Sequence, residues 1–102
     1  MSIVAIDRIA LDSSGRLRVY PRLAGAGYDY IYRDATSVRW DTSDRGLYVL
    51  PVDGFTPLDE FNQIISAVAR EYRDSLVIEE SSILDIPTEL VEKLREISRS
   101  RR

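Results

Sequence analysis

The chain has 102 residues, a net charge of −3, 44% hydrophobic residues and 30% charged residues, a composition typical of one globular domain. It contains no cysteine and no histidine, which excludes disulfides, thiolate catalysis, cysteine-ligated metals and histidine as a general base. No apolar run reaches the length of a membrane span, and no signal peptide is visible. We therefore expect a soluble, cytoplasmic protein of bacterial type.

The first half of the chain, residues 1–52, has the pattern of short strands joined by short turns. Apolar residues alternate with polar or aromatic ones over several segments, and Gly15 and Gly46 stand in turn sequences. In the third segment the alternation places three tyrosines on one face. Strands are predicted over 3–11, with a bulge near Asp7 and Arg8, and over 16–20, 28–32, 36–40 and 47–51. The pattern thus predicts an antiparallel β-meander of about five strands.

The second half, residues 53–98, changes to helical periodicity. Thr56 is suited to the N-cap of a helix and Pro57 to its first position. Apolar residues then recur at spacings of three and four as far as Tyr72. This spacing predicts a long amphipathic helix that ends near Arg73 and covers the sheet.

Two shorter elements complete the second half. The apolar run at 76–79 predicts a short strand. Pro87 marks a second helix start, and apolar residues at helical spacing continue that helix to about Ser98. A basic tail, residues 99–102, follows, and we expect it to fray. The whole chain, residues 1–102, is therefore predicted to form a single α+β domain.

The sequence patterns that could indicate catalysis or a bound ligand are incomplete. Residues 25–27 lack the third glycine and the following helix of a phosphate-binding loop. A calcium loop at residues 41–46 is excluded because Arg45, a cation, stands where an oxygen ligand is needed. Glu79 and Glu80 point to opposite sides of a strand, so their spacing does not pair them. We therefore predict no catalytic residue, no metal and no cofactor.

The feature that best suits a function is a set of aromatic and arginine residues on the predicted strands. Such residues are enriched in protein interfaces, and they also stack on the bases of single-stranded nucleic acid. β-Propensity alone would also place tyrosines on half-buried strands. The predicted interaction surface consists of Tyr20, Tyr28, Tyr30, Tyr32, Trp40, Arg18 and Arg39.

The partner follows from the predicted layers. If both helices cover one face of the sheet, a partner would cover the other, and a second copy of the chain is the simplest one. We therefore predict a non-enzymatic accessory protein that self-associates or binds another protein. A concave form of that face could instead hold a small molecule, with acid–base chemistry from Asp or Glu. Single-stranded nucleic acid is the third alternative, which the pI of about 4.9 disfavours.

The chain resembles the small, functionally uncharacterised α+β proteins that are carried on bacterial integron gene cassettes. The stretch from Tyr30 to Asp41, YIYRDATSVRWD, and the helix start at Thr56 and Pro57 carry the resemblance. Size, arginine-rich composition and strand-then-helix order extend it over the whole length. The resemblance implies an accessory function and frequent oligomerisation, and it assigns no role to any residue.

Overall fold

A computed structural model describes residues 2–34 and 37–100 of the chain. Its elements are β1 (Ser2–Leu11), β2 (Leu17–Pro21), a 3-10 helix (Ile31–Asp34), β3 (Val38–Asp41), β4 (Gly46–Val49), α1 (Pro57–Tyr72), β5 (Asp74–Asp85) and α2 (Thr88–Ser100). The strands form one sheet in the order β3-β4-β2-β1-β5. Strand β5 runs parallel to β1, and the other neighbours are antiparallel. This arrangement confirms the predicted α+β fold.

The predicted strand over 28–32 is wrong, because this segment is a turn that leads into the 3-10 helix. The Tyr30 N–H, which a strand would direct to a neighbouring strand, donates instead to the hydroxyl of Tyr72 (2.9 Å). The ring of Tyr28 packs between those of Trp40 and Tyr72. This packing outweighs the β-propensity of the tyrosines. The three tyrosines therefore do not share a face of the sheet.

The other strands of the first half are present with shifted ends. Strand β3 begins at Val38, and the predicted start, Thr36, lies outside the described residues. Strand β4 ends at Val49, before the predicted end at Pro51, which has no N–H to donate to a neighbour. Because β4 pairs with both β2 and β3, strand β3 lies at an edge of the sheet.

Strand β5 is much longer than the predicted strand at 76–79. A bulge divides it, because residues 79–82 stand opposite Asp7 of β1 alone. The Ser82 hydroxyl stabilises the bulge by donating to a carbonyl of β1 and accepting the N–H of Glu79. The strand was predicted too short because the polar residues at 79–82 interrupt the apolar pattern, although the strand continues beyond the bulge.

Both helices begin and end close to the predicted positions. Thr56 is the N-cap of α1 and forms a capping box with Asp59, whose carboxylate accepts the Thr56 N–H (2.9 Å). Arg73 adopts a left-handed backbone conformation (φ 56°) and ends the helix. Helix α2 continues to Ser100, and residues 101 and 102 of the predicted tail lie outside the described residues.

The core lies between one face of the sheet and the two helices. Phe61 and Ile64 of α1 and Leu94 of α2 are completely buried and belong to the same core cluster as Leu17 and Leu47 of the sheet. Each such side chain contributes roughly 1.5–3 kcal/mol through burial. Both helices thus cover the same face, and no described element covers the opposite one. Neither helix in the described part of the chain is long and apolar enough to cross a membrane.

Candidate interaction surface

The sheet face that the helices leave uncovered, which we name the open face, carries two rows of side chains that run across the strands. In order from β3 to β5, the first row consists of Arg39, Tyr48, Arg18, Ala10 and Asp85. In the same order, the second row consists of Asp41, Gly46, Tyr20, Arg8 and Ile83. The rows result from strand pairing, because residues two apart on a strand share a face and paired residues lie side by side.

The centre of the open face is an ion network around Arg18. The guanidinium of Arg18 lies 3.0 Å from the carboxylate of Asp41 and 3.7 Å from that of Asp44. It also lies 4.0 Å from Asp12 and 4.6 Å from the centroid of the Tyr48 ring. One cation is thus surrounded by three carboxylates and a ring, an arrangement that the planar guanidinium group favours.

Gly46 makes room for this network. It stands between Asp41 and Tyr20 in the second row, and a Cβ atom at Gly46 would lie 2.8 Å from the Tyr20 ring. Because Gly46 has no side chain, the ring of Tyr20 packs directly against strand β4 beside the Arg18–Asp41 contact. The Tyr20 hydroxyl completes the network by donating to Asp44 (2.8 Å).

The contacts shift the pKa values of groups in the network, including those of Asp41 and Tyr20. The backbone N–H of Asp44 and the guanidinium of Arg18 lower the pKa of the Asp41 carboxyl. Partial burial and the hydrogen bond to Asp44 raise the pKa of the Tyr20 hydroxyl. Neither shift brings a group closer to titration at neutral pH. These two groups therefore suit recognition by fixed charges and rings better than proton transfer.

Arg8 extends the network toward the β5 edge. Its guanidinium lies 3.2 Å from Asp85 and 5.6 Å from the centroid of the Tyr20 ring. The neighbouring Ile83 is 62% exposed, which is unusual for a large apolar residue on a sheet. A cleft of about 290 Å³ lies between Arg8, Arg18 and Tyr20. This part of the open face thus combines paired charges, aromatic rings and the exposed apolar side chain of Ile83.

The structure separates the residues of the predicted interaction surface. Arg18, Tyr20 and Arg39 lie on the open face. Tyr28 and Trp40 lie on the helix-covered side, where Tyr28 is only 2% exposed and Trp40 packs against the core. Their rings meet edge to face, with centroids 5.7 Å apart. Trp40 alternates with Arg39 along β3, so these two neighbours point to opposite faces.

Tyr28 is fixed in the core at both ends. Its ring lies 4.7 Å from that of Tyr72, and its hydroxyl donates to Asp74 (2.9 Å). Burial and this hydrogen bond raise the pKa of the Tyr28 hydroxyl far above its ordinary value. Gly27 precedes it because a Cβ atom there would overlap the ring of Trp40. Tyr28 therefore has a structural role.

Tyr30 and Tyr32 form a separate exposed pair beside the 3-10 helix. Their side chains are 54% and 51% exposed, and their ring centroids lie 6.4 Å apart. The guanidinium of Arg33 lies 4.5 Å from the centroid of the Tyr30 ring. This segment contacts β3 and α1 and does not belong to either row of the open face. The predicted tyrosine surface is consequently divided between two sites and the core.

Three residues of the open face were missed in the sequence. Tyr48 alternates with the buried residues Leu47 and Val49, and this alternation was the signal that could have placed it. Arg8 follows the bulge in β1, which inverts the alternation and hides its position. Asp44 lies in a turn, and only the folded chain brings it to Tyr20.

A buried carboxylate was also missed. Glu60 is 2% exposed, and its Oε1 accepts the N–H of Leu17 (3.2 Å). Its Oε2 has no hydrogen-bond partner among the described residues and lies 3.5 Å from Nη1 of Arg16. Glu60 precedes Ile64 by one helical turn, so helical spacing already placed it on the buried face of α1. Its contacts join α1 to the start of β2.

Comparison with known proteins identifies the family. Residues 3–82 match the family model described as Integron Cassette Protein Hfx_Cass5. The chain belongs to this family. The match confirms the resemblance to integron cassette proteins that the sequence indicates.

The chain is also similar to a solved structure. It is described as a structure from the mobile metagenome of North West Arm Sewage Outfall, Integron Cassette Protein Hfx_Cass5. The two chains are 28% identical, and the match covers 97% of this chain and 98% of that chain with a TM-score of 0.46. No curated protein matches the chain. The matching descriptions name neither an activity nor a ligand.

Proposed function

We propose that this Hfx_Cass5 family protein is a self-associating interaction module and that the open face is its interface. The observation that supports the proposal best is the one-sided covering of the sheet. Both helices pack on one face, and in the described part of the chain no element covers the other. A sheet with one uncovered face is completed by a second layer, and a second copy can supply it.

The residue types on the open face support a protein partner. Tyr20, Tyr48 and Arg18 occupy its centre, and tyrosine and arginine are frequent in the residues that dominate binding energy. Their rings and guanidinium groups are already ordered by contacts within the chain. An ordered surface loses less conformational entropy on association.

The charge pattern supports a second copy of the chain as that partner. The open face carries cations at Arg8, Arg18 and Arg39 and carboxylates at Asp41 and Asp85. Because both signs are interspersed on one surface, a two-fold related copy can present carboxylates to the cations. A strongly basic or acidic partner would find only half of its contacts.

Sedimentation velocity over a dilution series tests the proposal. The wild-type chain is expected to form a dimer that dissociates on dilution within the range of about 1–100 μM, which is typical of specific contacts of moderate strength. Tyr48→Ala is expected to weaken the dimer by about tenfold, or about 1.4 kcal/mol, because it removes a ring from the centre of the face.

The matched control is Tyr32→Ala. It removes the same kind of side chain, here an exposed one on the 3-10 helix, and is expected to leave the dimer unchanged. Thermal unfolding of both variants, measured alongside, verifies that each is folded. A wild-type chain that sediments as a monomer at every concentration contradicts the proposal. A larger loss of association in Tyr32→Ala than in Tyr48→Ala moves the interface to the 3-10 helix.

A further inference from the structure

We infer that two copies pack open face to open face about a two-fold axis that runs across the strands between the two rows. The inference rests on the proposed self-association and adds the register of the contact. In this register the first row of one copy lies over the second row of the other. Arg39 of each copy then meets Asp41 of the other, and Tyr48 lies over Gly46.

The two rows complement each other at their centre. The guanidinium of Arg18 faces the ring of Tyr20, a contact of the kind that Arg18 already makes with Tyr48 within the chain at 4.6 Å. The ring of Tyr48 faces Gly46, against which the ring of Tyr20 packs, so the two tyrosine rings meet at this position. Because the axis relates the copies in both directions, each favourable contact occurs twice.

The rows are also compatible at their β3 end, whereas at their β5 end Asp85 faces the apolar Ile83. At the β3 end, Arg39 faces Asp41, whose carboxylate is held in position by Arg18 and by turn N–H groups. Toward β5, the long side chain of Arg8 faces the small side chain of Ala10. Because the Asp41 carboxylate is already ordered in the free chain, it loses little conformational entropy when it joins an interface. The interface would thus contain opposite charges at its rim and rings at its centre, as specific interfaces do.

The alternative two-fold axis, parallel to the strands, gives a poorer match. When this axis runs along the central strand β2, β3 of one copy lies over β5 of the other, and each row lies over the same row of the other copy. Arg18 then faces Arg18 of the other copy, and Tyr20 faces Tyr20. Like charges that face each other in an interface oppose association. The order of residues in the two rows therefore favours the axis that crosses the strands.

The geometry of packed sheets sets the reach of the contacts. Face-to-face sheets lie about 10 Å apart, and their strands cross at about 30°. The axis crosses every strand, and the pairing of rows therefore holds best at the middle of the sheet, on β4, β2 and β1. Arg39 and Asp41 lie on either side of the axis on β3, so their contact reports the register.

Cross-linking of single-cysteine variants tests the register, because the wild-type chain has no cysteine. Arg39→Cys and Asp41→Cys are mixed and treated with a bismaleimide that spans about 10 Å, the distance between packed sheets. The mixture is expected to give at least about tenfold more cross-linked dimer than Arg39→Cys mixed with Asp85→Cys, since thiols held in one complex have a millimolar effective concentration. Circular dichroism establishes that each variant is folded.

A second pair of variants leaves the Asp41 turn intact. Ile83→Cys and Asp85→Cys, both on exposed parts of β5, are expected to cross-link with each other when mixed. Glu92→Cys, exposed on α2, is the control and is expected to give no excess dimer with any variant. Preferential linking of Arg39→Cys to Asp85→Cys overturns the register in favour of the parallel axis. Absence of a specific cross-link in a chain that sediments as a dimer also overturns it, whereas a monomeric wild type contradicts the proposed function itself.

Discussion

On the helix-covered face of the sheet, Leu17 and Val19 of β2 are completely buried, whereas Arg18 and Tyr20, which alternate with them on the same strand, remain partly exposed. The covered face is held by apolar contact with the helices. The open face is held by ion pairs and by guanidinium groups stacked on rings. One strand thus serves two surfaces of different chemistry, because successive side chains point to opposite sides.

The difference indicates what each face contributes. Apolar burial supplies most of the free energy of folding, while partly exposed ion pairs contribute at most about 1 kcal/mol each. An ordered array of charges and rings that adds little to stability is well suited to recognition. Substitutions on the two faces should therefore separate folding from association.

The largest expected effect is that of Trp40→Ala on folding. Because Trp40 packs against Tyr28 and the core, we expect the free energy of unfolding to fall by about 2–3 kcal/mol, less than the 3–5 kcal/mol of a fully buried aromatic. Urea denaturation measures the loss. The comparison is Tyr20→Ala, which removes a ring from the open face at β2. It should lower the free energy of unfolding by less than Trp40→Ala does. Equal losses in the two variants would remove the distinction between the faces.

The position of Trp40 shows how far the sequence could be read. Alternation correctly placed Arg18 and Tyr20 on the same face of β2, because both residues lie in one regular strand. It failed at Tyr28 and Trp40, where a 3-10 helix replaces the predicted strand and the rings meet in the core. The loose alternation of residues 3–11 correctly indicates a bulge near Asp7 and Arg8, but it does not predict which face Arg8 takes beyond that bulge.

Helix signals were more reliable than strand signals because they are local. The capping box of Thr56 and Asp59 lies within four neighbouring residues and needs no distant partner. The full length of β5 depends instead on pairing with β1 at the other end of the chain. The network around Arg18 likewise needs Asp12 and Asp44 from separate turns. The candidate site is formed by contacts between residues that are far apart in the sequence. Its geometry therefore could not be predicted from local patterns and is visible only in the folded chain.

The second expected effect concerns the buried carboxylate beneath the covered face. Glu60→Ala leaves the Leu17 N–H without its acceptor and removes the carboxylate beside Arg16. We expect a loss of about 1–3 kcal/mol in the free energy of unfolding, the cost of an unsatisfied buried polar group. Glu60→Gln keeps an acceptor for Leu17 and should lose less. If both variants unfold like the wild type in urea, the link between α1 and β2 does not contribute to stability.

The smallest expected effect is the pH dependence of stability that two carboxylates cause, one on the open face and one at the start of the covering helix α1. The pKa of Asp41 is lowered by the N–H of Asp44 and by Arg18, and that of Asp59 by hydrogen bonds from Thr56. A carboxyl whose pKa is lower in the folded chain stabilises it above the ordinary value of 3.8 and loses that contribution as the pH falls through the lower folded value. Stability should therefore decline below about pH 4 in the wild type and less steeply in Asp41→Asn and in Asp59→Asn.

Salt distinguishes the two carboxylates. At 1 M NaCl the screening length falls to about 3 Å, which weakens the attraction between Arg18 and the carboxylate of Asp41. Thr56 is uncharged, so the hydrogen bonds that lower the pKa of Asp59 are affected much less. Titration of the side-chain carboxyl carbons by NMR should therefore show the pKa of Asp41 rising with salt while that of Asp59 stays nearly constant. Equal responses of the two pKa values to salt would mean that backbone hydrogen bonds alone lower the pKa of Asp41. The guanidinium of Arg18 could then leave Asp41 and contact an incoming partner.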